Sequence, residues 1–170
     1  MHDSEEVEVH TLVLDFKNAF MTVPLHPDER RFNCANAGFD LHRQRAPLYE
    51  FEPTTGRFVV WRTLGFGGRP NPLVFSRIAS FASRTTQALL EGDPTVSGAG
   101  RLQLYVDDPV VSVLGSSEMA YQVVDRVILW WLCLGIPLSW SKGVLTRGSD
   151  QHRWIGILYH LTEEGAMMRL

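Results

Sequence analysis

A pair of adjacent aspartates between two apolar runs constrains this chain more than any other stretch. Residues Leu102–Val113 read LQLYVDDPVVSV, with Asp107 and Asp108 at the centre. Short β-rich runs on both sides of a polar break predict a β-hairpin with the acidic pair at its turn. Neighbouring carboxylates repel each other unless water or a cation offsets their charge, and Mg²⁺ prefers oxygen ligands. The stretch therefore indicates either a metal-binding hairpin or a solvated turn, in which aspartate is common.

Length and composition favour a single globular domain over residues 1–170. The chain has 170 residues, of which 45% are hydrophobic and 21% charged, and this composition is typical of a packed core. The net charge of −3 is not that of a basic nucleic-acid binder, so such binding would need a local basic patch. Cys34 and Cys133 lack the spacing of a zinc site and are predicted to be reduced, buried thiols.

No signal peptide or membrane span is predicted. The N-terminus is acidic and lacks an apolar core, and we expect residues 1–8 to be flexible. The longest apolar run, Val127–Leu138, is too short to cross a bilayer and is interrupted by Gly135 and Pro137. We therefore expect a soluble, intracellular protein, and the sequence does not distinguish the cytoplasm from the nucleus.

Hydrophobic periodicity predicts an α+β fold. A buried strand over Val7–Leu14 ends at Asp15, and two further strands are predicted over residues 31–39 and 51–61. One helix is predicted after the N-cap Asn71, and a second after Ser116 or Ser117, ending at Gly135. A last strand is predicted over Trp154–Leu161. The buried faces are predicted to contain Phe75, Ile78, Ala82, Thr85 and Leu89 in the first helix, and Met119, Val123, Val127, Trp130 and Leu134 in the second.

This order contains a β-α-β-β-α-β pattern, which is that of a ferredoxin-like fold. In that arrangement the strand ending at Asp15 lies beside the hairpin that carries Asp107 and Asp108. Three carboxylates at one edge of the sheet would hold two divalent ions, about 3.5–4 Å apart as in two-metal sites. Such a site suits phosphoryl transfer, which needs charge stabilisation and alignment more than a strong base.

Several short motifs, in order from about Val9 to Leu161, resemble the palm of reverse transcriptases, especially those of retroelements. The motifs are LDFKNAFMTVPLHP (Leu14–Pro27), ERRFNCANAGF (Glu29–Phe39), LGFGGRPNPLVFSR (Leu64–Arg77), LYVDD (Leu104–Asp108), LGIPLSWSKG (Leu134–Gly143) and WIG (Trp154–Gly156). The resemblance implies a ferredoxin-like polymerase palm with a small remnant of the fingers strands, and palm motifs over residues 9–161.

The resemblance also implies roles for individual residues. Asp15, Asp107 and Asp108 would be the metal ligands for two Mg²⁺ or Mn²⁺ ions, and Lys142 would lie near the triphosphate as a catalytic residue. The residues implied in nucleotide binding are Phe16, Phe20, Phe66, Gly67, Arg69 and Tyr105. Those implied in gripping the primer are Trp154, Ile155 and Gly156.

The same residues have simpler explanations. Phe20 corresponds to the aromatic residue that excludes a ribose 2′-hydroxyl in this family, but it also suits a hydrophobic core. Gly67 suits either close approach to a nucleotide or a plain turn before a helix. Arg69 suits either a phosphate or solvent, and Lys142 suits either proton donation to pyrophosphate or an exposed surface.

Two functions of different classes follow. In the first, the chain is an RNA-directed DNA polymerase palm that extends a primer on an RNA or DNA template with deoxynucleoside triphosphates. In the second, it is a catalytically inactive palm, derived from a retroelement, that acts as a binding or scaffold module. We expect no counterpart of the family's preceding fingers segment or of its thumb. The expected partners are therefore template–primer, a second copy of the chain, or a protein that supplies the missing parts, and no membrane.

Overall fold

A computed structural model of the chain describes residues 7–36, 49–51, 58–65, 67–148, 150–162 and 165–169. It contains both helices and strands, and the strands form antiparallel sheets, so the fold is of the α+β kind. The chain divides into two compact units. One unit consists of Met1–Lys17 and Ser76–Leu170, and the other of Asn18–Phe75.

The elements follow one another in mixed order. The strands are β1 (Glu8–Val13), β2 (Cys34–Asn36), β3 (Tyr49–Phe51), β4 (Phe58–Trp61), β5 (Gly100–Tyr105), β6 (Asp108–Gly115), β7 (Val144–Thr146), β8 (Gln151–Trp154), β9 (Ile157–Thr162) and β10 (Gly165–Arg169). The α-helices are α1 (Pro27–Arg30), α2 (Asn71–Gly92) and α3 (Ser117–Cys133), and short 3-10 helices cover Ala19–Thr22 and Trp140–Lys142.

The first unit is built on a four-stranded sheet with strand order β5-β6-β1-β7, in which every neighbouring pair is antiparallel. Strand β1 is central, and its residues His10, Thr11 and Leu12 are all buried, as expected for a strand covered on both faces. Val13 lies opposite Val110 of β6 and Val144 of β7. The C-terminal end of β1 therefore lies between the start of β6 and the start of β7.

Helices α2 and α3 are joined by tryptophan hydrogen bonds. The Trp131 indole is fully buried, and its Nε1–H donates to Thr86 Oγ1 of α2 at 2.9 Å. The Trp131 ring also meets the Phe16 ring edge-on, with 5.2 Å between centroids. Helix α3 contacts β1 and β6. Its N-cap is Ser116, whose Oγ accepts from the Met119 N–H at 3.3 Å, as predicted.

A glutamine of α2 covers part of the outer strand of the four-stranded sheet. Gln87 Oε1 accepts from the Leu102 N–H of β5 at 3.1 Å, and Gln87 Nε2 donates to the Gly100 carbonyl at 3.4 Å. These two backbone groups point away from β6, so the side-chain amide bonds them as a neighbouring peptide group would.

A second antiparallel sheet of the first unit has the order β10-β9-β8, and β8 contacts β1. The β8–β9 connection is a two-residue turn, Ile155–Gly156, with φ values of 45° and 82°. The single strand predicted over Trp154–Leu161 is therefore confirmed only in part, since Ile157–Leu161 lie in β9 but Trp154 belongs to β8. The left-handed conformation of both turn residues reverses the chain within that stretch, and β9 runs on to Thr162.

The other unit contains a three-stranded antiparallel sheet with the order β2-β4-β3. The strands predicted over 31–39 and 51–61 are confirmed only in part, as β2 and β4, and residues 37–40 and 52–57 lie outside the described residues. In this unit the Phe20 and Phe75 rings stack at 4.8 Å.

Several other expectations need correction. In α2, Phe75 and Ala82 are buried as predicted, but Ala79, Thr86 and Leu90 are buried in place of their neighbours Ile78, Thr85 and Leu89. Asn71 belongs to the helix, and its Nδ2 donates to the Gly65 carbonyl at 2.7 Å. In α3 the buried tryptophan is Trp131 and not Trp130.

Two further observations concern the surface. Cys34 and Cys133 are exposed free thiols, and not buried ones as expected. Among the described residues, no helix combines the length and hydropathy needed to cross a membrane.

Candidate active site

The predicted acidic hairpin is present as strands β5 and β6, joined by the two-residue turn Val106–Asp107. Tyr105 pairs with Asp108 across this turn. Val106 has a φ of 58°, a left-handed conformation that costs a β-branched residue free energy. Backbone strain of this kind persists only where the surroundings hold it, and it is concentrated at functional sites.

Asp15 lies beside this turn because the pairing of β1 with β6 continues past the end of the regular strand. The Leu14 N–H donates to the Pro109 carbonyl at 3.3 Å, and the Phe16 N–H donates to the Asp107 carbonyl at 3.2 Å. Asp15 therefore lies between two residues that are bonded to the acidic hairpin, although 92 positions separate it from Asp107 in the sequence (107 − 15).

The segment before β7 holds Asp15 from its other side. The Ser139 N–H donates to the Asp15 carbonyl at 2.9 Å, and the Lys17 N–H donates to the Pro137 carbonyl at 2.8 Å. The 3-10 helix after Ser139 carries Lys142, whose Nζ donates to the Asp15 carboxylate as an ion pair. Hydrogen bonding to Asp15 raises the pKa of Lys142, so this lysine is charged at neutral pH.

The electrostatics of the turn indicate an unbalanced negative charge. Burial raises the pKa of Asp107, and the Asp15 charge raises it further. Burial also raises the pKa of Asp108, with additional repulsion from Asp107 and Asp15. The side chains of Asp15, Asp107 and Asp108 thus interact electrostatically, and Lys142 is the positive group that acts on both carboxylates of the turn.

The fit of this cluster to a divalent cation rests on its donors. Carboxylate oxygens are the ligands that Mg²⁺ and Mn²⁺ prefer, and three carboxylates with one lysine leave negative charge for a cation to offset. Over the part of the chain that the structure describes, no group of three His, Cys, Asp or Glu side chains has the spacing of a formed metal site. In charge and donor type, but not in the spacing of its side chains, the cluster fits a hard divalent cation.

A tryptophan of β8 contacts the acidic hairpin through a hydrogen bond that sequence reasoning did not anticipate. Trp154 Nε1–H donates to the Asp108 carbonyl at 3.1 Å. The resemblance suggested Trp154 for a different role, gripping the primer. The WIG motif places a tryptophan before a turn, but nothing in the sequence identifies its partner 46 residues away.

The other residues suggested by the resemblance are distributed over both units. Phe16 is 4% exposed with its ring against Trp131, so only its backbone lies at the cluster. Tyr105 is exposed at the end of β5, and Ile155 and Gly156 form the β8–β9 turn.

In the other unit, Phe20 is 7% exposed and stacks on Phe75, which supports the alternative of a core phenylalanine. Gly67 has a φ of 86°, which glycine adopts without strain, and Arg69 is exposed. Phe66 lies outside the described residues.

Comparison with known families shows to which family the chain belongs. No curated protein matches it. The family model described as reverse transcriptase (RNA-dependent DNA polymerase) matches residues 2–159. Because this match covers most of the 170 residues, the chain belongs to the reverse transcriptase family.

Proposed function

We propose that this chain is a reverse transcriptase palm that transfers nucleotides from deoxynucleoside triphosphates to a primer 3′-hydroxyl on an RNA or DNA template. The observation that carries this proposal is the continued pairing of β1 with β6. Through it, Asp15 comes beside the turn that contains Asp107 and Asp108. Family membership supports the reaction class, and the carboxylate cluster supports these three residues as its centre.

The palm in this proposal is ferredoxin-like. Support comes from the order β1, α2, β5, β6, α3, β7 and from the sheet order β5-β6-β1-β7, in which β6 and β7 both flank β1. Strands β2, β3 and β4 of the other unit would be the remnant of the fingers.

Asp15, Asp107 and Asp108 would hold two Mg²⁺ or Mn²⁺ ions. When bound, such ions activate the attacking hydroxyl and stabilise the charge on the triphosphate. Backbone hydrogen bonds on both sides fix the main chain of Asp15 next to the acidic turn, while its carboxylate, which pairs with Lys142, would have to reorient to bind an ion.

Lys142 would neutralise charge and donate a proton to the departing pyrophosphate. A lysine is protonated at neutral pH, as a proton donor must be before the reaction, and the hydrogen bond to Asp15 raises the pKa of Lys142 further. Its contact with Asp15 indicates that, without substrate, it serves as a counter-ion for that carboxylate.

Most of the remaining residues would bind the substrates. Phe66, Gly67, Arg69 and Tyr105 are the nucleotide-binding candidates, whereas the rings of Phe16 and Phe20 are buried and would support the site from the core. Trp154, Ile155 and Gly156 are candidates for contact with the primer. The exposed side chains of Tyr105 and Ile155 are consistent with contact to a bound strand.

A primer-extension assay tests the proposal. The full chain is incubated with a DNA primer on an RNA template, or on a DNA template of the same sequence, with Mg²⁺ or Mn²⁺. We expect extension by the unaltered chain and a loss of about 100-fold or more in the Asp107→Asn/Asp108→Asn variant, because charge stabilisation by metal ions contributes several kcal/mol. Asp125→Asn, on the exposed face of α3, is the matched control.

The alternative is a binding or scaffold module without polymerase activity. Large exposed apolar side chains on the two long helices favour it, such as Leu73 and Phe81 of α2 and Leu129 of α3, which are 63%, 56% and 61% exposed. A folded chain that binds Mn²⁺ but extends no primer on either template would support this alternative. Equal extension by the double variant would contradict the role of the carboxylates.

A further inference from the structure

The indole of Trp154 reaches from β8 to the backbone of the acidic hairpin, where its Nε1–H donates to the Asp108 carbonyl at 3.1 Å. We propose that Trp154 is a positioning residue, which fixes the start of β6 and with it the carboxylates of Asp107 and Asp108. This inference rests on the proposed function, since it assigns Trp154 a task in the same site. It differs from contact with the primer, because the partner of Trp154 is the protein backbone.

The backbone of the acidic hairpin is strained at its turn and must be held by neighbouring elements. Val106, the first residue of the turn, has a φ of 58°, which a β-branched side chain disfavours. The bonds from Leu14 and Phe16 hold the turn from the side of β1. Trp154 holds Asp108 from a different sheet, so the strained backbone is held by two separate elements.

The tryptophan is itself held in place. It is the last residue of β8 and pairs with Ile157 across the turn. Its ring contacts Tyr159, with 6.2 Å between centroids, and Tyr159 stacks on His152 at 5.3 Å. His152 is 8% exposed, so this row of three rings is anchored in the interior. A donor held in this way can fix the orientation of the carbonyl that accepts from it.

The test removes the N–H and keeps an aromatic ring, in the variant Trp154→Phe. The matched control is Trp130→Phe, because Trp130 Nε1–H donates a similar bond to Thr85 Oγ1 at 3.2 Å, between α3 and α2. A second variant carries benzothienylalanine at position 154, which has the shape of tryptophan but no N–H. Circular dichroism establishes that each variant is folded.

The first measurement is amide hydrogen exchange in the metal-free chain. The amides of Leu14 and Phe16 report on the hairpin, because they donate to Pro109 and Asp107. We expect exchange about three- to tenfold faster in both variants at position 154, as the loss of one hydrogen bond gives, and within about twofold of the unaltered chain in Trp130→Phe.

The second measurement is the affinity for Mn²⁺ alone, by titration calorimetry. We expect about three- to tenfold weaker binding in both variants at position 154 and no change in Trp130→Phe. Unchanged exchange, or faster exchange with unchanged Mn²⁺ affinity, would overturn the positioning role. A failure of the unaltered chain to bind Mn²⁺ would instead contradict the proposed function, and the exchange rates would still decide whether Trp154 fixes the hairpin.

Discussion

Asp107 and Asp108 are the residues at which the requirements of folding and of metal binding conflict. Their carboxylates are partly buried beside each other and beside Asp15, and burial is the main cause of their raised pKa values. A raised pKa means that the folded chain disfavours the ionised form, whereas a metal ion requires it. In this site the charge that serves the proposed function destabilises the metal-free fold.

Asp108→Asn should therefore stabilise the metal-free protein at neutral pH. The ionised Asp108 carboxylate destabilises the fold fully above its raised pKa and not at all below the ordinary value of 3.8. The stability gained by the substitution should therefore disappear near pH 4. We expect a thermal midpoint about 1–3 °C higher at pH 7.5, as weak repulsion between partly solvated charges gives in a domain of this size. Mn²⁺ affinity should fall in the same variant.

Differential scanning calorimetry at the two pH values measures this effect, and Asp125→Asn controls for the loss of a surface carboxylate. If Asp108→Asn has a lower thermal midpoint than the unaltered chain at pH 7.5, the ionised Asp108 carboxylate does not destabilise the metal-free fold.

Among the elements, the β8–β9 hairpin has a turn whose sequence does not suit its backbone. Ile155 and Gly156 both have positive φ, as in a type I′ turn, for which Asn-Gly is the favoured pair. Ile155 is 40% exposed, so it gains only part of the burial that an isoleucine provides in a core. Ile155 is therefore a β-branched residue held in a strained, left-handed conformation with little compensating burial.

Ile155→Asn should raise the free energy of unfolding by about 1 kcal/mol, because asparagine adopts the left-handed conformation with less strain. The midpoint should rise by about 2–4 °C. Ile155→Val is the control, since valine is also β-branched and should bring no gain. If Ile155 contacts the primer, Ile155→Asn should also weaken binding of template–primer, measured by fluorescence anisotropy. A variant that is less stable than the unaltered chain would show that the turn carries no strain.

The sequence predicted those elements whose signals are local. The acidic hairpin and the strand leading to Asp15 follow from β-rich runs, and the start of α3 follows from its serine cap. Strand β7 has no comparable signal, because its three residues, Val144–Thr146, are too few to show a period in the sequence. The turn at Ile155 contradicts the usual preference of isoleucine, so no propensity rule identifies it.

The candidate site was predictable in its acidic residues and not in its supports. Two adjacent aspartates after a predicted strand can be recognised from the sequence alone. The sequence does not show which of Trp130 and Trp131 is buried, because both have apolar neighbours. Tertiary packing decides which side of α3 faces the core. The bond from Trp154 likewise depends on the contact of β8 with the central sheet.

In the molecule as a whole, the cluster depends on segments that are distant in sequence. Asp15, the acidic turn, Lys142 and Trp154 come from four parts of the first unit. The connection between α2 and β5, which leads into the acidic hairpin, is bonded to α3. Arg126 Nε–H donates to the Asp93 carboxylate at 2.6 Å, and Arg126 also donates to Thr95 Oγ1 at 2.9 Å.

Arg126→Ala should lower the thermal midpoint by a few degrees at neutral pH, because these side chains are only 31% and 25% exposed. Hydrogen bonds from Thr95, and then from Arg126, lower the pKa of Asp93 below 3.8. The stability that Asp93 contributes is therefore complete above pH 3.8 and is lost as the pH falls through the lowered pKa.

Thermal unfolding from pH 7 to pH 3 measures both effects. The exposed pair Arg101–Glu91, at 3.5 Å, provides the control: Arg101→Ala should shift the midpoint by no more than about 1 °C. Equal losses in the two variants would contradict a structural role for the partly buried pair.

The amide of Gln87 has a consequence for how copies of this protein meet. An uncovered outer strand is a template on which another polypeptide can add and build a growing ribbon. Here an incoming strand must first displace a side chain that already bonds Leu102 and Gly100. The Gln87 side chain thus makes the stacking of further strands, and with it fibril formation, less favourable at the β5 edge. The outward side chains of β5 remain accessible to other partners.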